Sequence, residues 1–184
     1  NGCPGALVEL ADFLGAQQVT ALYTQIGLFQ SPQIDLPVAV PGQSSGDSPA
    51  ETALGSQGPL VTPLQMALAA ATIAGGGQRP EPQMVLAIQT PFEGWVLREP
   101  RPVIPSLPAD GTRTAAQMLL QSGTPYWQTV ANAPGQGTLN TWFLAGTLPG
   151  AQGTPLALAL VLEENDPALA AEIGRAVLDG APQP

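Results

Sequence analysis

Proline and glycine interrupt this chain so often that none of its helices or strands can be long. The sequence contains 21 prolines and 21 glycines among 184 residues. Proline lacks a backbone N–H and glycine disfavours regular structure, so both residues tend to end helices and strands. Hydrophobic residues still make up 44% of the chain, which is enough for a core. We therefore expect one folded domain of short elements joined by irregular connections.

The basic residues exclude several kinds of active site. The chain has no histidine, and all five of its basic residues are arginines, so it has no lysine either. Ser-His-Asp and Cys-His sites need an imidazole base, and Schiff-base or Walker-type sites need a lysine amine. None of these sites can be assembled from the residues of this chain alone. Five scattered arginines and a net charge of −9 also argue against binding to nucleic acid.

Cysteine content and hydropathy argue against disulfides, metal sites and membrane spans in this chain. Cys3 is the sole cysteine, so the chain forms no internal disulfide, and we expect no metal site and no cofactor. The acidic run Glu163–Asp166 is better explained as a strand end leading into a capped helix than as a cation site. No stretch approaches the ~20 apolar residues of a membrane span.

The first part of the chain predicts three helices. Apolar residues at helical spacing indicate helices over Pro4–Leu14 and Gln17–Ile26. The third prediction is the most specific: Thr62 precedes a proline and an apolar run, and a glutamine, Gln65, follows three residues later. That spacing is typical of a capping box, in which the two side chains satisfy free backbone N–H groups. We expect a core helix that ends at Gly75.

The middle of the chain is less regular. Residues 30–57 are rich in Ser, Pro and Gly and predict a long surface connection. Gln83–Gln89 is predicted to be extended and apolar, and the prolines from Pro91 to Pro108 predict an irregular crossing. Aromatic residues lie around this crossing and could form a groove or pack onto their own domain, and the sequence does not choose between these: Phe92, Trp95, Tyr126 and Trp127.

The last third predicts a short helix, three strands and a closing helix. The short helix is expected over Thr112–Gln121, and Asp166 with the following proline should cap the closing helix. Strands are predicted at Trp127–Ala131, Asn140–Thr147 and Pro155–Glu163. One face of the closing helix should be buried through Leu169, Ile173, Ala176 and Val177. The order of elements predicts an α+β fold, with an antiparallel sheet of about three strands in the C-terminal third packed by helices.

Several phrases occur in the order and spacing found in one family. They are Leu54–Gly58, Val61–Ala67, Ile73–Gly77, Trp142–Gly146 and Val161–Asn165. Together they resemble the C-terminal portion of penicillin-binding protein transpeptidase domains, whose fold is shared with serine beta-lactamases. The resemblance implies that residues 1–184 form one such domain in part, without the region that carries the nucleophile motif.

The family's catalytic motifs are degenerate in this chain. The resemblance implies a Ser-x-x-Lys nucleophile motif, a Ser-x-Asn motif and a Lys-Thr-Gly strand. The second motif falls on Gly2, Cys3 and Pro4, and the third falls on Ala133, Pro134 and Gly135. Only the glycine of the third motif is retained. Loss of the nucleophile or its base in a serine acyl-transfer site costs a factor on the order of 10⁶ in turnover, so we expect no catalytic residue here.

The resulting functional hypothesis is a pseudoenzyme. We expect a non-catalytic transpeptidase-like domain that acts as an interaction or scaffolding module in peptidoglycan biology, outside the cytoplasm in the cell envelope and anchored through a segment not in this chain. The strand at Pro155–Glu163 should expose a sheet edge to a protein partner or a second copy, and peptidoglycan is another possible partner. Two alternatives remain: the C-terminal part of an active D,D-transpeptidase with its nucleophile upstream, and an unrelated secreted binding module.

Overall fold

The computed structural model describes residues 4–34, 36–39, 60–134 and 138–181, together with positions 42, 48, 51 and 53. The described chain contains five helices and seven strands. The helices are α1 Pro4–Leu14, α2 Ala16–Gln25, α3 Pro63–Ala74, α4 Ala109–Met118 and α5 Pro167–Gly180. The strands are β1 Gln78–Pro80, β2 Ala87–Thr90, β3 Gly94–Leu97, β4 Val103–Pro105, β5 Tyr126–Pro134, β6 Leu139–Thr147 and β7 Ala157–Leu162.

The main sheet is antiparallel, in the order β5-β6-β7, which confirms the predicted α+β fold with a three-stranded sheet. Helix α5 packs on one face of this sheet, while α3 packs on the other and is itself contacted by α4. Alternation along β5 and β6 produces two cores. Tyr126 and Phe143 lie in the core beneath α5, whereas Trp127 packs with Ala70 of α3 in the other core.

Helix α3 begins as the sequence predicts. The Thr62 hydroxyl accepts a hydrogen bond from the Gln65 backbone N–H at 3.2 Å, and the Gln65 side-chain oxygen accepts from the Thr62 N–H at 2.9 Å. The Gln65 amide also donates to the carbonyl oxygens of Leu28 and Gln30, at 2.9 and 3.1 Å. The capping residue therefore also attaches the segment after α2 to the start of the core helix.

Several sequence predictions are wrong in detail. The crossing from Pro91 to Pro108 is not wholly irregular: β3 pairs with β2, and β4 pairs with β1. Proline is accepted there because these are short two-stranded sheets, in which many N–H groups need no partner. The short helix starts and ends three residues earlier than predicted, at Ala109 and Met118, because the Pro108 carbonyl begins its hydrogen-bonding series.

The buried face of the closing helix is rotated from the predicted one: Leu169 and Ile173 are half-buried, but Ala176 and Val177 are exposed. Val177 is 52% exposed, whereas Ala170, Gly174 and Leu178 are buried. Small residues at four-residue spacing let the helix approach the sheet closely, so the contact face is set by shape rather than by hydrophobicity alone. The N-terminal helices follow their predicted bounds within one residue, and the predicted connection 30–57 lies mostly outside the described residues.

Candidate functional site

Two positions of the predicted third motif form the end of a strand. Ala133 and Pro134 are the last two residues of β5, opposite Asn140 and Leu139 of β6. The sequence predicted that this strand would stop at Ala131, three residues short of its observed end. Gly135 lies outside the described residues. Neither an alanine nor a proline side chain can donate a proton or carry a charge, so these two positions supply no catalytic group.

Among the described residues, the outer edge of β5 has no strand partner beside this position. The Gln128 N–H donates to the Leu119 carbonyl at 3.2 Å, and Leu120 bridges to Trp127. Beyond Gln128, no described strand other than β6 pairs with β5. A cavity of about 410 Å³ follows this stretch of strand, and it is lined by Gln121, Gln128, Thr129, Val130, Ala131, Asn132 and Pro167. The edge could accept an extended peptide, but Pro134 removes one N–H donor from its end.

The second-motif position is described only in part. Gly2 and Cys3 lie outside the described residues, and Pro4 is the first residue of α1. Helix α1 packs against α2. None of the four main cavities among the described residues is lined by both Pro4 and the end of β5.

Asn132, directly before the third-motif position, belongs to a polar network. Its side-chain amide donates to the Asn165 side-chain oxygen at 2.9 Å. The fully buried Thr141 hydroxyl accepts from the Asp166 N–H at 3.0 Å. That hydroxyl lies 2.8 Å from the Glu164 carbonyl and 3.0 Å from the Asn132 side-chain oxygen, either of which accepts its proton. The network ties β5 and β6 to the start of α5 and therefore has a structural role.

Arg175 makes a second polar cluster on the same face of the sheet. Its Nε donates to the Gln128 side-chain oxygen and its Nη2 to that of Gln121, both at 3.2 Å. Side chains alternate between the faces of a strand, so Gln128 and Ala133 of β5 point to opposite faces. Arg175 lies on the α5 side and does not take the place of a lysine at position 133. Nothing in the sequence singled out Gln128 or Arg175, because they are separated by 47 residues.

Tyr126 is the group near β5 whose titration is shifted most clearly by its surroundings. It is 5% exposed, and its hydroxyl donates to Asp179 at 3.3 Å. Burial raises the pKa of Tyr126 above its ordinary value near 10, and the charge and hydrogen bond of Asp179 raise it further, while Arg175 opposes them. A tyrosine held protonated in this way is a poor base near neutral pH.

Neither a metal cluster nor a membrane-spanning helix occurs among the described residues. Among the residues that the structure describes, no three His, Cys, Asp or Glu side chains lie together as metal ligands would. None of the described helices combines the length and apolar character needed to cross a membrane.

Comparisons with known proteins agree with the observed fold. Residues 5–146 match the family described as penicillin binding protein transpeptidase domain. The structure is similar to penicillin-binding protein A from M. tuberculosis, solved as an imipenem acyl-enzyme complex, with 27% identity and a TM-score of 0.77 over 98% of this chain and 45% of that one. No curated protein sequence matches the chain.

Two further solved structures show the same fold. PBPA from Mycobacterium tuberculosis has 24% identity and a TM-score of 0.83, with 98% of this chain and 49% of that chain covered. The D,D-transpeptidase domain of a peptidoglycan glycosyltransferase from Eggerthella lenta has 16% identity and a TM-score of 0.81, with 96% and 50% covered. The present chain thus spans about half the length of these solved relatives.

Proposed function

Since this chain belongs to the penicillin-binding protein transpeptidase domain family, we propose that it is a non-catalytic member, acting as an interaction or scaffolding module in peptidoglycan biology at the cell envelope. The observation that carries this proposal is the end of β5, which is formed by Ala133 and Pro134, the two residues that the sequence resemblance assigns to the third motif. The family's active sites use a lysine there to hold the substrate carboxylate. Neither residue can perform that role, and Arg175, which contacts Gln128, lies on the other face of the sheet from Ala133.

The peptide-binding role of the same strand is weakened as well. A substrate peptide laid along an open strand edge is held by main-chain hydrogen bonds. Pro134 has no N–H to contribute, and the Asn132 side chain is already hydrogen-bonded to Asn165 and Thr141. The absence of every lysine and histidine from the 184 residues supports the same proposal, because no general base of either kind is available from this chain.

The interaction role is supported by β7. Its residues Ala157–Leu162 are uncharged, apolar and partly buried along their whole length, which is typical of a strand covered on both faces. In the described residues, β7 pairs only with β6. Natural edge strands are usually protected by charges or prolines, and β7 has neither within its bounds; Pro155 and Glu163 lie just outside it. We therefore propose that another strand covers this edge.

A cavity of about 420 Å³ adjoins the start of β7. Its walls include Ala71 and Ala74 of α3, Val103 of β4, and Leu156 and Ala157 at the strand's beginning. An extended segment pairing with β7 could place an apolar side chain in this cavity. The segment could come from elsewhere in a longer protein, from a second copy or from another protein.

The experiment for the pseudoenzyme proposal is covalent labelling of the longest natural form of the protein with a fluorescent penicillin. We expect no labelled band, with an active penicillin-binding protein labelled in parallel as the control. Labelling that disappears when a serine upstream of residue 1 is replaced by alanine would overturn the proposal. It would establish the alternative of an active D,D-transpeptidase, which the 45% coverage of a relative solved as an acyl-enzyme keeps open.

The strand-edge proposal has a separate measurement. Hydrogen exchange is compared between the 184-residue chain and its longest natural form, with the amides of β6 as the internal control. We expect the outward-facing amides of β7 to gain protection in the longer form or in an oligomer. A monomer of the longest form in which those amides exchange rapidly would contradict it.

A further inference from the structure

A cavity of about 390 Å³ opens between the segment after α2, the first half of α3 and strands β1 and β4. Its volume falls within the range of roughly 300–1,000 Å³ in which proteins bind small molecules. Of the residues that line it, only Arg79 and Glu81 carry a charge, and both are half-buried. No lining residue belongs to β5, β6 or β7, so the cavity is not part of either strand edge described above.

The walls of this cavity are held by hydrogen bonds within the chain. On one side, the Gln65 amide donates to the Leu28 and Gln30 carbonyls, at 2.9 and 3.1 Å, which ties the segment after α2 to α3. On the other side, Arg79 of β1 is opposite Ile104 of β4 in an antiparallel pair. The cavity is therefore formed in the absence of any ligand, and binding does not have to order its walls.

The Arg79 guanidinium packs over Gly27, so closely that a Cβ on Gly27 would overlap its Nη1 atom. It forms no ion pair or hydrogen bond with any residue that the structure describes. It is not needed to cap α2, because the Tyr23 and Thr24 carbonyls already accept from the N–H groups of Leu28 and Gly27. The guanidinium thus has a defined place in the cavity wall, and its N–H groups are left for another acceptor.

Glu81 supplies the opposite charge in the same cavity. It follows Arg79 by two residues, and two residues of extended chain span about 7 Å. The two side chains do not form an ion pair with each other. A ligand with a carboxylate beside Arg79 and an ammonium group beside Glu81 would pair both charges, and arginine holds a carboxylate through two parallel hydrogen bonds.

The overall charge of the chain favours a ligand that is neutral as a whole. A protein with a net charge of −9 repels anions, and one arginine beside a glutamate does not reverse that repulsion. A molecule with one carboxylate and one ammonium group avoids it. From these observations we propose that the cavity binds a small zwitterion, an amino acid or a short peptide, with its carboxylate on Arg79 and its ammonium on Glu81. This site does not depend on whether the domain is catalytic.

The test is isothermal titration calorimetry of the longest natural form of the protein with L-alanine and with L-alanyl-L-alanine. N-acetyl-L-alanine lacks the ammonium group and L-alaninamide lacks the carboxylate, so these are the singly charged controls. We expect at least one zwitterion to bind, and each control to bind at least about tenfold more weakly, because it leaves one charge of the cavity without a partner. The tighter of the two zwitterions shows whether the ligand spans one residue or two.

Two substitutions test which side chain holds which charge. Arg79→Gln should lower the affinity for the zwitterion by about tenfold or more. Glu81→Gln should lower it similarly but leave the weak affinity for N-acetyl-L-alanine unchanged, since that molecule has no ammonium group. The matched controls are Arg113→Gln in α4 and Glu93→Gln in the turn between β2 and β3, which do not line the cavity and should leave binding unchanged.

Three results would overturn the proposal. The first is a dissociation constant above about 10 mM for both zwitterions. The second is equal binding of the zwitterion and N-acetyl-L-alanine, which would leave a simple anion site, and the third is binding that survives both Arg79→Gln and Glu81→Gln. Circular dichroism checks the folding of each variant. Glu81 lies outside the strand pair, so Glu81→Gln keeps the test valid even if Arg79→Gln fails to fold.

Discussion

Gly174 of α5 packs directly against the ring of Phe143 of β6, so closely that a Cβ on Gly174 would overlap the ring carbons. Phe143 is fully buried at the centre of the core under α5. The helix reaches the sheet at this distance because its contact face is made of small residues, Ala170 and Gly174. The absence of a side chain at position 174 thus determines how α5 sits on the sheet.

Gly174→Ala should therefore destabilise the protein, although alanine is the better helix former. We expect a loss of about 1–3 kcal/mol in the free energy of unfolding, as is usual for overpacking a core. Gly180→Ala is the control, because nothing lies within 4 Å of a Cβ there, and it should be neutral or stabilising by up to about 1 kcal/mol. Urea denaturation measures both; equal values for the two variants would contradict the packing argument.

Gln65→Glu should destabilise the domain while keeping the shape of the side chain. A carboxylate can still accept from the Thr62 N–H, but it cannot donate to the Leu28 and Gln30 carbonyls. We expect a loss of at least about 2 kcal/mol at neutral pH, since buried acceptors without donors cost about 1–3 kcal/mol each. Gln18→Glu makes the same charge change on the exposed side of α2 and should stay within about 0.5 kcal/mol of the unaltered protein.

Thr141→Val should destabilise the protein, because it removes the hydroxyl at the centre of the network around Asn132 while keeping the packing volume. Valine has nearly the same shape but leaves the Asp166 N–H without its acceptor, which should cost about 1–3 kcal/mol. Thr141→Ser keeps the hydroxyl and loses only a methyl group, so it should cost less. The thermal unfolding temperatures of the two variants test this prediction. A serine variant less stable than the valine variant would refute the hydrogen-bonding role of the Thr141 hydroxyl.

Arg175→Ala should destabilise the protein more than Arg113→Ala, although each variant removes one guanidinium. Arg175 donates to the buried Gln128, whose oxygen would lose that partner, and we expect a cost of about 1–3 kcal/mol. Arg113 pairs at 3.7 Å with Asp110, whose side chain is 97% exposed, and such a surface pair contributes less than about 1 kcal/mol. Chemical denaturation at equal salt concentration compares them, and a larger loss for Arg113→Ala would be the contrary result.

Tyr126 should make stability fall in alkaline solution. Its pKa in the folded protein is raised above the ordinary 10.0, first by burial and then by Asp179. The unfolded chain therefore releases this proton at lower pH than the folded one, and stability declines as the pH rises through 10 toward the folded pKa. Tyr126→Phe should remove this part of the decline.

Direct titration of the tyrosinate absorbance tests the cause of that shift. Burial also raises the pKa of Tyr23, the second tyrosine, so Tyr23→Phe is used as the background to isolate Tyr126. Adding Asp179→Asn should bring the pKa of Tyr126 back toward 10 without restoring it fully, because burial remains. A Tyr126 pKa that is insensitive to Asp179→Asn would mean that the hydrogen bond at 3.3 Å has no influence.

Local signals in the sequence located most helices and the main sheet. The Thr62–Gln65 capping box, a four-residue pattern, places the start of α3 at the observed residue. The alternation in β6 placed that strand within one residue of its observed start. The pairing within the small sheets β1–β4 and β2–β3 was missed, although the predicted extended segment Gln83–Gln89 overlaps β2. These strands are three or four residues long and lie among prolines, too short for a period to be read.

The composition and order of residues determined, without any coordinates, which chemistry this chain can supply: with neither lysine nor histidine, no folding can create an amine or imidazole base. Only the tertiary structure decided where the remaining polar groups act. Arg175 meets Gln128, and Thr141 meets Asp166, across 47 and 25 residues of sequence. Such contacts depend on how closely α5 packs on the sheet. That distance is set by the fit of Gly174 against the Phe143 ring, which no local sequence pattern encodes.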